Sequence, residues 1–193
     1  MAWQTILEWI AFAFLFAFGI YTMIVIKNEK NNYLANAREI FFKQFKMKIP
    51  TWWGEVPTES SDELCFKRLD TRYEWEAKFI WNQSGSKIDL IELFKNHIQE
   101  RKILFDEDTS IIYNPSDFKT GPLISSGQYE MVRLEGTATA DRHERLYYDA
   151  FIVREKASGS FLYAESKSSV LNGLVEGPYF EEVMISLELA PMS

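Results

Sequence analysis

The fold class is decided by residues 129–166, which read YEMVRLEGTATADRHERLYYDAFIVREKASGSFLYAES. Between Tyr129 and Thr139 small or apolar residues recur at every second position, namely at Val132, Leu134, Gly136 and Ala138. This spacing predicts a half-buried strand. Arg145 to Glu155 and Ser160 to Ser166 have the length and composition of antiparallel partners, and Ala140 to His143 predicts the turn that joins the first two strands.

Upstream of this sheet, residues 74–81 (EWEAKFIW) have an apolar residue at every second position from Trp75. The pattern predicts a strand that buries Trp75, Ala77, Phe79 and Trp81. Ile103 to Phe105 and Ser110 to Tyr113 are shorter strand candidates.

Two helices are predicted to pack on the sheet. Residues 87–101 have Ile88, Ile91, Phe94 and Ile98 at helical spacing, after a capping residue at Ser86. A second helix is predicted to begin at Gly177-Pro178, because proline fits the first helical turn. Its buried face is predicted to contain Phe180, Val183, Met184 and Leu187. Antiparallel strands flanked by helices indicate an α+β domain that resembles an α/β/α sandwich.

The N-terminal part of the chain predicts a transmembrane helix over residues 1–26. No charged residue occurs from Trp9 to Ile26, a stretch about long enough to cross the hydrocarbon core of a bilayer. A cleaved signal peptide is the alternative, but no basic residue precedes the apolar run and no Ala-x-Ala site ends it. We therefore expect an uncleaved single-pass signal-anchor. Ala13 and Ala17 would allow a partner helix to approach this span.

The basic residues that flank the span predict its orientation. Six Lys and Arg residues follow it before residue 49, whereas Glu8 is the only charged side chain on the other side. Because Lys and Arg near a span are retained in the cytoplasm, we expect the folded domain to be cytoplasmic. Export of the domain is the alternative, since one span gives only one comparison of flanking charge.

Residues 27–48 are predicted to form a basic amphipathic connector helix. Its apolar stripe includes Phe41 and Phe45, and its charges include Lys43, Lys46 and Lys48. Such a helix would lie in the headgroup layer and attract anionic lipid, so these five residues are candidates for membrane-surface contact. Packing of the stripe on the following domain is the alternative. Residues 49–61, rich in Pro, Ser and Thr, are predicted to be a linker before a soluble domain over residues 62–193.

Composition excludes several classes of function. The 15 Lys and Arg and 25 Asp and Glu give residues 49–193 a net charge of −10, which argues against a nucleic-acid-binding surface. The single cysteine, Cys65, cannot form an internal disulfide, and the two histidines lack the spacing of a zinc site. We therefore predict no cofactor, no metal site and no catalytic residue.

Two short segments supply candidates for contact with a protein partner. Trp52 and Trp53 are adjacent, and adjacent side chains point to opposite faces of an extended chain. We expect one of the two indoles to be buried and the other to be available to a partner. Arg72 and Tyr73 belong to a charged cluster over residues 68–74, which predicts either a ligand-facing loop or a salt-bridged surface turn.

The arrangement of these segments resembles the PsbP-like α/β/α sandwich family, named after an extrinsic subunit of photosystem II. The resemblance rests on Trp52-Trp53 before the sheet, the helix over residues 87–101, the strands over residues 129–166 and the closing helix with Phe180 and Ile185-Ser186-Leu187. It implies a binding or assembly module without enzymatic activity. No site residue follows from it.

The sequence thus predicts a membrane-anchored accessory protein whose soluble domain engages a protein partner, with membrane lipid as its second partner. The alternative is a membrane-tethered, hydrolase-like enzyme with a pocket between the sheet and the loop over residues 114–128. In that case the acid pair Asp149 and Glu165 is the first candidate for its chemistry.

Overall fold

The computed structural model describes residues 2–68, 74–118, 121–140 and 144–191. The chain divides into two units, residues 1–37 and residues 38–193. The first unit is helix α1 (Ala2–Asn36), 35 residues long. Within it, Ile6–Tyr33 is long and apolar enough to cross a membrane, and the apolar window that defines this segment has no buried residue. The helix continues ten residues beyond the predicted end at residue 26.

The second unit is built on an eight-stranded antiparallel sheet. Its strand order is β3-β4-β5-β10-β9-β8-β6, and β7 also pairs with β8. The strands are β3 (Trp53–Val56), β4 (Glu63–Arg68), β5 (Trp75–Asn82), β6 (Ile103–Phe105), β7 (Ile111–Tyr113), β8 (Tyr129–Ala140), β9 (Glu144–Glu155) and β10 (Phe161–Ser168). The antiparallel arrangement predicted for residues 129–166 is confirmed, with Val132 opposite Ile152 and Ala164 opposite Phe151.

Helix α3 (Pro122–Ser125) is a single turn before β8. Helix α4 (Val170–Ile185) packs on one face of this sheet together with a smaller sheet. The smaller sheet contains β1 (Arg38–Phe42), β2 (Phe45–Ile49) and β11 (Glu188–Leu189). The core between these layers is aromatic: Phe79 contacts both Phe66 and Phe180, with ring centroids 6.0 Å apart in each pair. The predicted burial of Phe180, Val183, Met184 and Leu187 is confirmed, although Leu187 lies just beyond the end of the helix.

Helix α2 (Leu90–Glu100) covers the other face, over β8, β9 and β10. Its first turn is capped by Asp89, which accepts hydrogen bonds from the backbone N–H groups of Ile91 and Glu92, so the predicted cap at Ser86 is wrong. The order of layers is therefore helix, sheet, helix, and the α+β class is confirmed.

The predicted connector helix over residues 27–48 is wrong beyond Asn36. Residues 38–49 form the hairpin β1–β2, in which Phe42 pairs with Phe45 across a turn where Lys43 has φ 55°. The reason is the alternation in FKMKI, residues 45–49, which buries every second side chain in the core. The predicted linker over residues 49–61 is also partly wrong, because it contains strand β3. The compact unit consequently begins at Arg38, not at residue 62.

The start predicted for the closing helix is wrong as well. Helix α4 begins at Val170 and continues through Pro178. Proline normally disfavours helical conformation in the residue before it, through a clash with the Cβ of that residue. Here the preceding residue is Gly177, which has no Cβ. Pro178 itself is exposed, so its ring meets solvent.

Candidate functional site

A pocket of about 770 Å³ lies on the α2 face of the large sheet. Helix α2 covers β8–β10, but on β4 and β5 this face has charged side chains in place of a helix. The side chains that matter most for its chemistry are Lys67, Glu76, Arg101, Tyr148, Glu165 and Lys167. Ligand sites are typically about 300–1,000 Å³ in volume, so the pocket is large enough for a small molecule or part of a macromolecule.

The floor of the pocket is a closed hydrogen-bond cluster around Glu165, which is only 5% exposed. Glu165 Oε2 accepts hydrogen bonds from the hydroxyl groups of Tyr148 and Tyr163, and the two hydroxyl groups are 2.8 Å apart. Arg101, just after α2, places its Nε 2.8 Å from the same oxygen and its guanidinium over the ring of Tyr163. Burial raises the pKa of Tyr148 well above its usual value, so both phenols stay protonated as donors.

Beside this cluster, Glu76 is surrounded by three lysines. Its carboxylate lies 3.1 Å from Lys67 Nζ and 3.5 Å from both Lys78 Nζ and Lys167 Nζ. The strand register creates this arrangement, because Lys67 on β4 and Lys167 on β10 are both directly opposite Glu76 on β5. Burial would raise the pKa of Glu76, but the three ammonium groups outweigh it and lower that pKa. Glu76 is therefore ionised at neutral pH.

The acid pair predicted for an enzyme is not formed. Asp149 is opposite Ser166 in the β9–β10 register, and Glu165 is opposite Ala150, so the two carboxylates project from opposite faces of the sheet. The predicted location of the pocket is also wrong. Of the residues that line the 770 Å³ pocket, none that the structure describes belongs to residues 114–128.

Asp149 instead forms a buried ion pair on the α4 face. Arg133 donates from Nε to Oδ1 and from Nη2 to Oδ2, each at 2.9 Å, and it also contacts Glu135 at 2.7 Å and Glu181 at 3.2 Å. Complete burial raises the pKa of Asp149 to about 7, although Arg133 opposes this shift. Since Glu181 belongs to α4, Arg133 ties that helix to the sheet.

The two predicted partner-binding tryptophans both point to one buried carboxylate. Glu176 of α4 is 1% exposed and accepts hydrogen bonds from Trp53 Nε1 at 3.0 Å and from Trp52 Nε1 at 3.4 Å. Arg68 donates to its other oxygen. Trp53 is 1% exposed, so its assignment as a partner contact is wrong, whereas Trp52 is half-buried against Tyr179, with ring centroids 5.1 Å apart. The other two candidates, Arg72 and Tyr73, lie outside the described residues.

The outer face of α4 is apolar, which the sequence analysis missed. Leu171 is 78% and Val175 is 55% exposed, and exposed Pro178 continues the stripe one turn later. The opposite side of the helix approaches the sheet so closely that a Cβ on Gly173 would collide with Tyr147. The i, i+4, i+7 spacing of the apolar residues was the available signal, but it is hidden because both sides of this helix are apolar.

The candidates for membrane-surface contact are divided by the β1–β2 hairpin. Phe45 is fully buried in the core and cannot contact lipid, whereas Phe41 is 61% exposed. Lys46 lies 3.0 Å from Glu39 and 3.4 Å from Glu188, and Lys43 lies 2.5 Å from Asp62. Lys48 is opposite Glu39 in the register. The positive charges are thus matched by carboxylates, which weakens the argument for attraction to anionic lipid.

Comparison with known proteins gives a result at the level of the fold. No protein-family model matches the sequence, and no curated protein is similar to it in sequence. The Ran-binding protein Mog1p of Saccharomyces cerevisiae superposes with a TM-score of 0.51 at 7% identity, covering 80% of this chain and 95% of Mog1p. This chain has the PsbP/Mog1 α/β fold. The resemblance predicted from the sequence is therefore confirmed as a resemblance of fold.

Two further structures are similar to the chain at a lower level. The cyanobacterial PsbP protein of Synechocystis, CyanoP, has a TM-score of 0.49 at 12% identity and covers 80% of this chain and 92% of its own. LpqN of Mycobacterium tuberculosis, which is involved in cell envelope biogenesis, has a TM-score of 0.48 at 12% identity, with 81% and 91% covered.

Proposed function

We propose that this protein is a membrane-anchored binding module without enzymatic activity, and that its PsbP/Mog1 domain engages a protein partner through the outer face of α4. The observation that carries the proposal is the exposure of Leu171 and Val175 on a helix that is otherwise packed on the sheet. Clustered exposed apolar residues mark interaction sites in soluble domains. We call Leu171, Val175, Pro178, Tyr179 and Trp52 the α4 surface.

The composition of the α4 surface favours a protein over a charged ligand. From Val170 to Tyr179 the only charged residue is Glu176, and its carboxylate is buried beneath Trp52 and Trp53. The half-buried Trp52 and Tyr179 form the edge of the surface, and tryptophan and tyrosine are enriched among residues that dominate binding energy. An uncharged patch on a strongly acidic domain fits an apolar surface of a partner.

The anchor part of the proposal rests on α1. Its segment Ile6–Tyr33 is long enough to span a bilayer, and the charged residues close to its apolar part favour a cytoplasmic domain. A full-length protein with such a span should stay in the membrane fraction after carbonate extraction. For sidedness, Ser116→Cys in a Cys65→Ser background places one thiol at an exposed position of the 3₁₀ turn Pro115–Asp117. A membrane-impermeant maleimide should react only after lysis, and reaction in intact cells would reverse the orientation.

The absence of enzymatic activity is supported by the pairing of the carboxylates. Glu165, Asp149 and Glu176 are each held by a buried arginine, tyrosine or tryptophan donor. A general base needs an oxygen that can reach a substrate proton. Both oxygens of Asp149 and of Glu176, and Oε2 of Glu165, already accept from protein donors.

The test of partner binding compares charged substitutions at matched exposed leucines. Leu171→Glu should abolish capture of the partner by full-length, detergent-solubilised protein, because a charge would be buried in the interface. Leu104→Glu, on β6, is the control: Leu104 is 63% exposed but lies outside the α4 surface. A captured protein counts as a partner at the α4 surface if it is lost with Leu171→Glu and retained with Leu104→Glu. Equal capture by both variants, or self-association as the only change, would refute a protein partner at the α4 surface.

A further inference from the structure

Three lysines converge on the single carboxylate of Glu76. Lys67 and Lys167 approach from the neighbouring strands and Lys78 from two residues along β5. Two further carboxylates act on the lysines: Glu63 lies 3.8 Å from Lys78, and the negative charge of Glu74 acts on Lys67. Like charges repel at these separations, so holding three ammonium groups around one carboxylate is unfavourable unless further negative charge reaches them.

Ion pairing alone does not explain the convergence. Exposed lysine–carboxylate pairs contribute little to stability, and one lysine would satisfy Glu76. The side chains of Lys67 and Lys167 remain 50% and 46% exposed. Each ammonium group has three N–H donors, so both lysines keep donors for another acceptor while they contact Glu76.

The two lysines line the 770 Å³ pocket, which gives such an acceptor a location. Arg101 and Arg145 line the same pocket, as do Glu74 and Glu144, and Arg145 is paired with Asp106 at 2.7 Å. The negative charge of Glu165 on the floor is already shared by Arg101, Tyr148 and Tyr163, so it repels an incoming anion less than a free carboxylate would. Unused lysine donors and open space therefore coincide above Glu76.

We propose that this pocket is a binding site for a phosphate-bearing anion, with Lys67 and Lys167 as its direct donors. Lys78 supports them by neutralising part of the charge of Glu76. The phosphate can belong to a lipid headgroup or to a soluble molecule, and both present the same oxygens to the lysines. Lys67 and Lys167 are on the opposite face of the sheet from α4, and this proposal does not rest on the proposed partner.

The test uses full-length protein in phosphatidylcholine nanodiscs, titrated with inorganic pyrophosphate by isothermal calorimetry at fixed ionic strength. Wild type should show saturable binding, and Lys67→Ala and Lys167→Ala should each weaken it about tenfold, as expected for a lost charge-assisted hydrogen bond. Lys95→Ala is the matched control, because Lys95 is an exposed lysine of α2 that does not line the pocket. It should bind like wild type.

Glu76→Gln separates a binding role from a structural one. If the lysines form an anion site, removal of the carboxylate should tighten pyrophosphate binding, because one repulsive charge is lost. If the lysines serve only to neutralise Glu76, the variant lowers thermal stability and gains no affinity. No saturable binding by wild type, or equal binding by wild type and the Lys67→Ala/Lys167→Ala double variant, would overturn the proposal.

A second set of nanodiscs, containing phosphatidylglycerol, identifies the source of the phosphate. A headgroup that occupies the pocket would compete and weaken pyrophosphate binding by wild type more than by Lys167→Ala. If the natural ligand is soluble, phosphatidylglycerol should leave the pyrophosphate affinities of wild type and Lys167→Ala unchanged. Either result supports the anion site. Leu171→Glu should bind pyrophosphate normally, so failure of the partner proposal and failure of this one are distinguishable.

Discussion

Replacement of Glu176 by glutamine should reveal how α4 is held on the sheet. Glutamine keeps the shape of the side chain, but it replaces one acceptor oxygen with an NH₂ group. In the wild type one carboxylate oxygen accepts from Trp52 and Trp53 and the other from Arg68. Whichever way the amide is oriented, its NH₂ group must face a donor, and at least one buried donor loses its partner.

The magnitude follows from burial and from charge. Glu176 is 1% exposed, so the unpaired donor cannot be solvated, and hydrogen bonds to charged groups contribute about 1.5–3 kcal/mol. We expect Glu176→Gln to reduce the free energy of unfolding by about 2–3 kcal/mol, which corresponds to about 6–9 °C in Tm for a domain of this size. Trp53→Phe should cost about 1–2 kcal/mol, and Trp52→Phe, whose bond is longer and partly exposed, less than about 1 kcal/mol.

The assay is thermal unfolding of the full-length protein in detergent, followed by circular dichroism so that loss of a tryptophan does not affect the signal. Glu92→Gln is the control, since Glu92 is exposed on α2 and should change the stability by less than about 0.5 kcal/mol. The order Glu176→Gln, Trp53→Phe, Trp52→Phe is the decisive result. If Glu176→Gln is as stable as wild type, Glu176 does not anchor α4 and the reasoning fails.

The remaining predictions concern the core, a titratable group and a helix contact. Phe79→Ala should cost about 3–5 kcal/mol by thermal unfolding, because Phe79 is fully buried, and a loss under about 1 kcal/mol would contradict its place in the core. Burial lowers the pKa of His97, so the contribution of the neutral imidazole to stability is complete above about pH 6.5 and is lost as pH falls through the lowered pKa. His97→Phe keeps a ring on Tyr163 but cannot be protonated. In parallel thermal melts between about pH 7.5 and pH 5 this variant should therefore lose less stability than wild type. Gly173→Ala should destabilise by about 1–3 kcal/mol, opposite to its usual effect in a helix, because the new Cβ meets Tyr147, and a rise in Tm would show that α4 has room there.

The sequence was sufficient to predict a strand where the apolar residues follow only one periodicity. Residues 74–81 have an apolar residue at every second position, and β5 buries Trp75, Ala77 and Phe79 as predicted, whereas Trp81 is only half-buried. The connector helix predicted over residues 27–48 was wrong because Phe41 and Phe45 are also spaced for a helix. Packing in the tertiary core favours the hairpin, since Met47 and Ile49 can be buried together with Phe45 only in a strand.

The pocket could not be predicted, because its charges come from strands that are far apart in the sequence. Lys67, Glu76 and Lys167 become neighbours only through the β4-β5-β10 register. The same holds for Glu176, whose donors Trp52 and Trp53 precede it by more than a hundred residues. Propensity and periodicity predict which residues face a sheet, but not which strand lies beside which.

The large sheet separates two uses of charge, and this separation supports both proposals. On its α4 face the carboxylates of Asp149 and Glu176 are buried and fix α4 to the sheet through Arg133, Arg68 and the two indoles. A helix held in this way can expose an apolar outer face without using that face for its own stability. On the α2 side the lysines around Glu76 remain half exposed above an open pocket, where charge contributes little to stability and much to the attraction of an anion. Loss of Lys167 should therefore leave Tm almost unchanged while it weakens anion binding. Loss of Glu176 should lower Tm and leave anion binding almost unchanged.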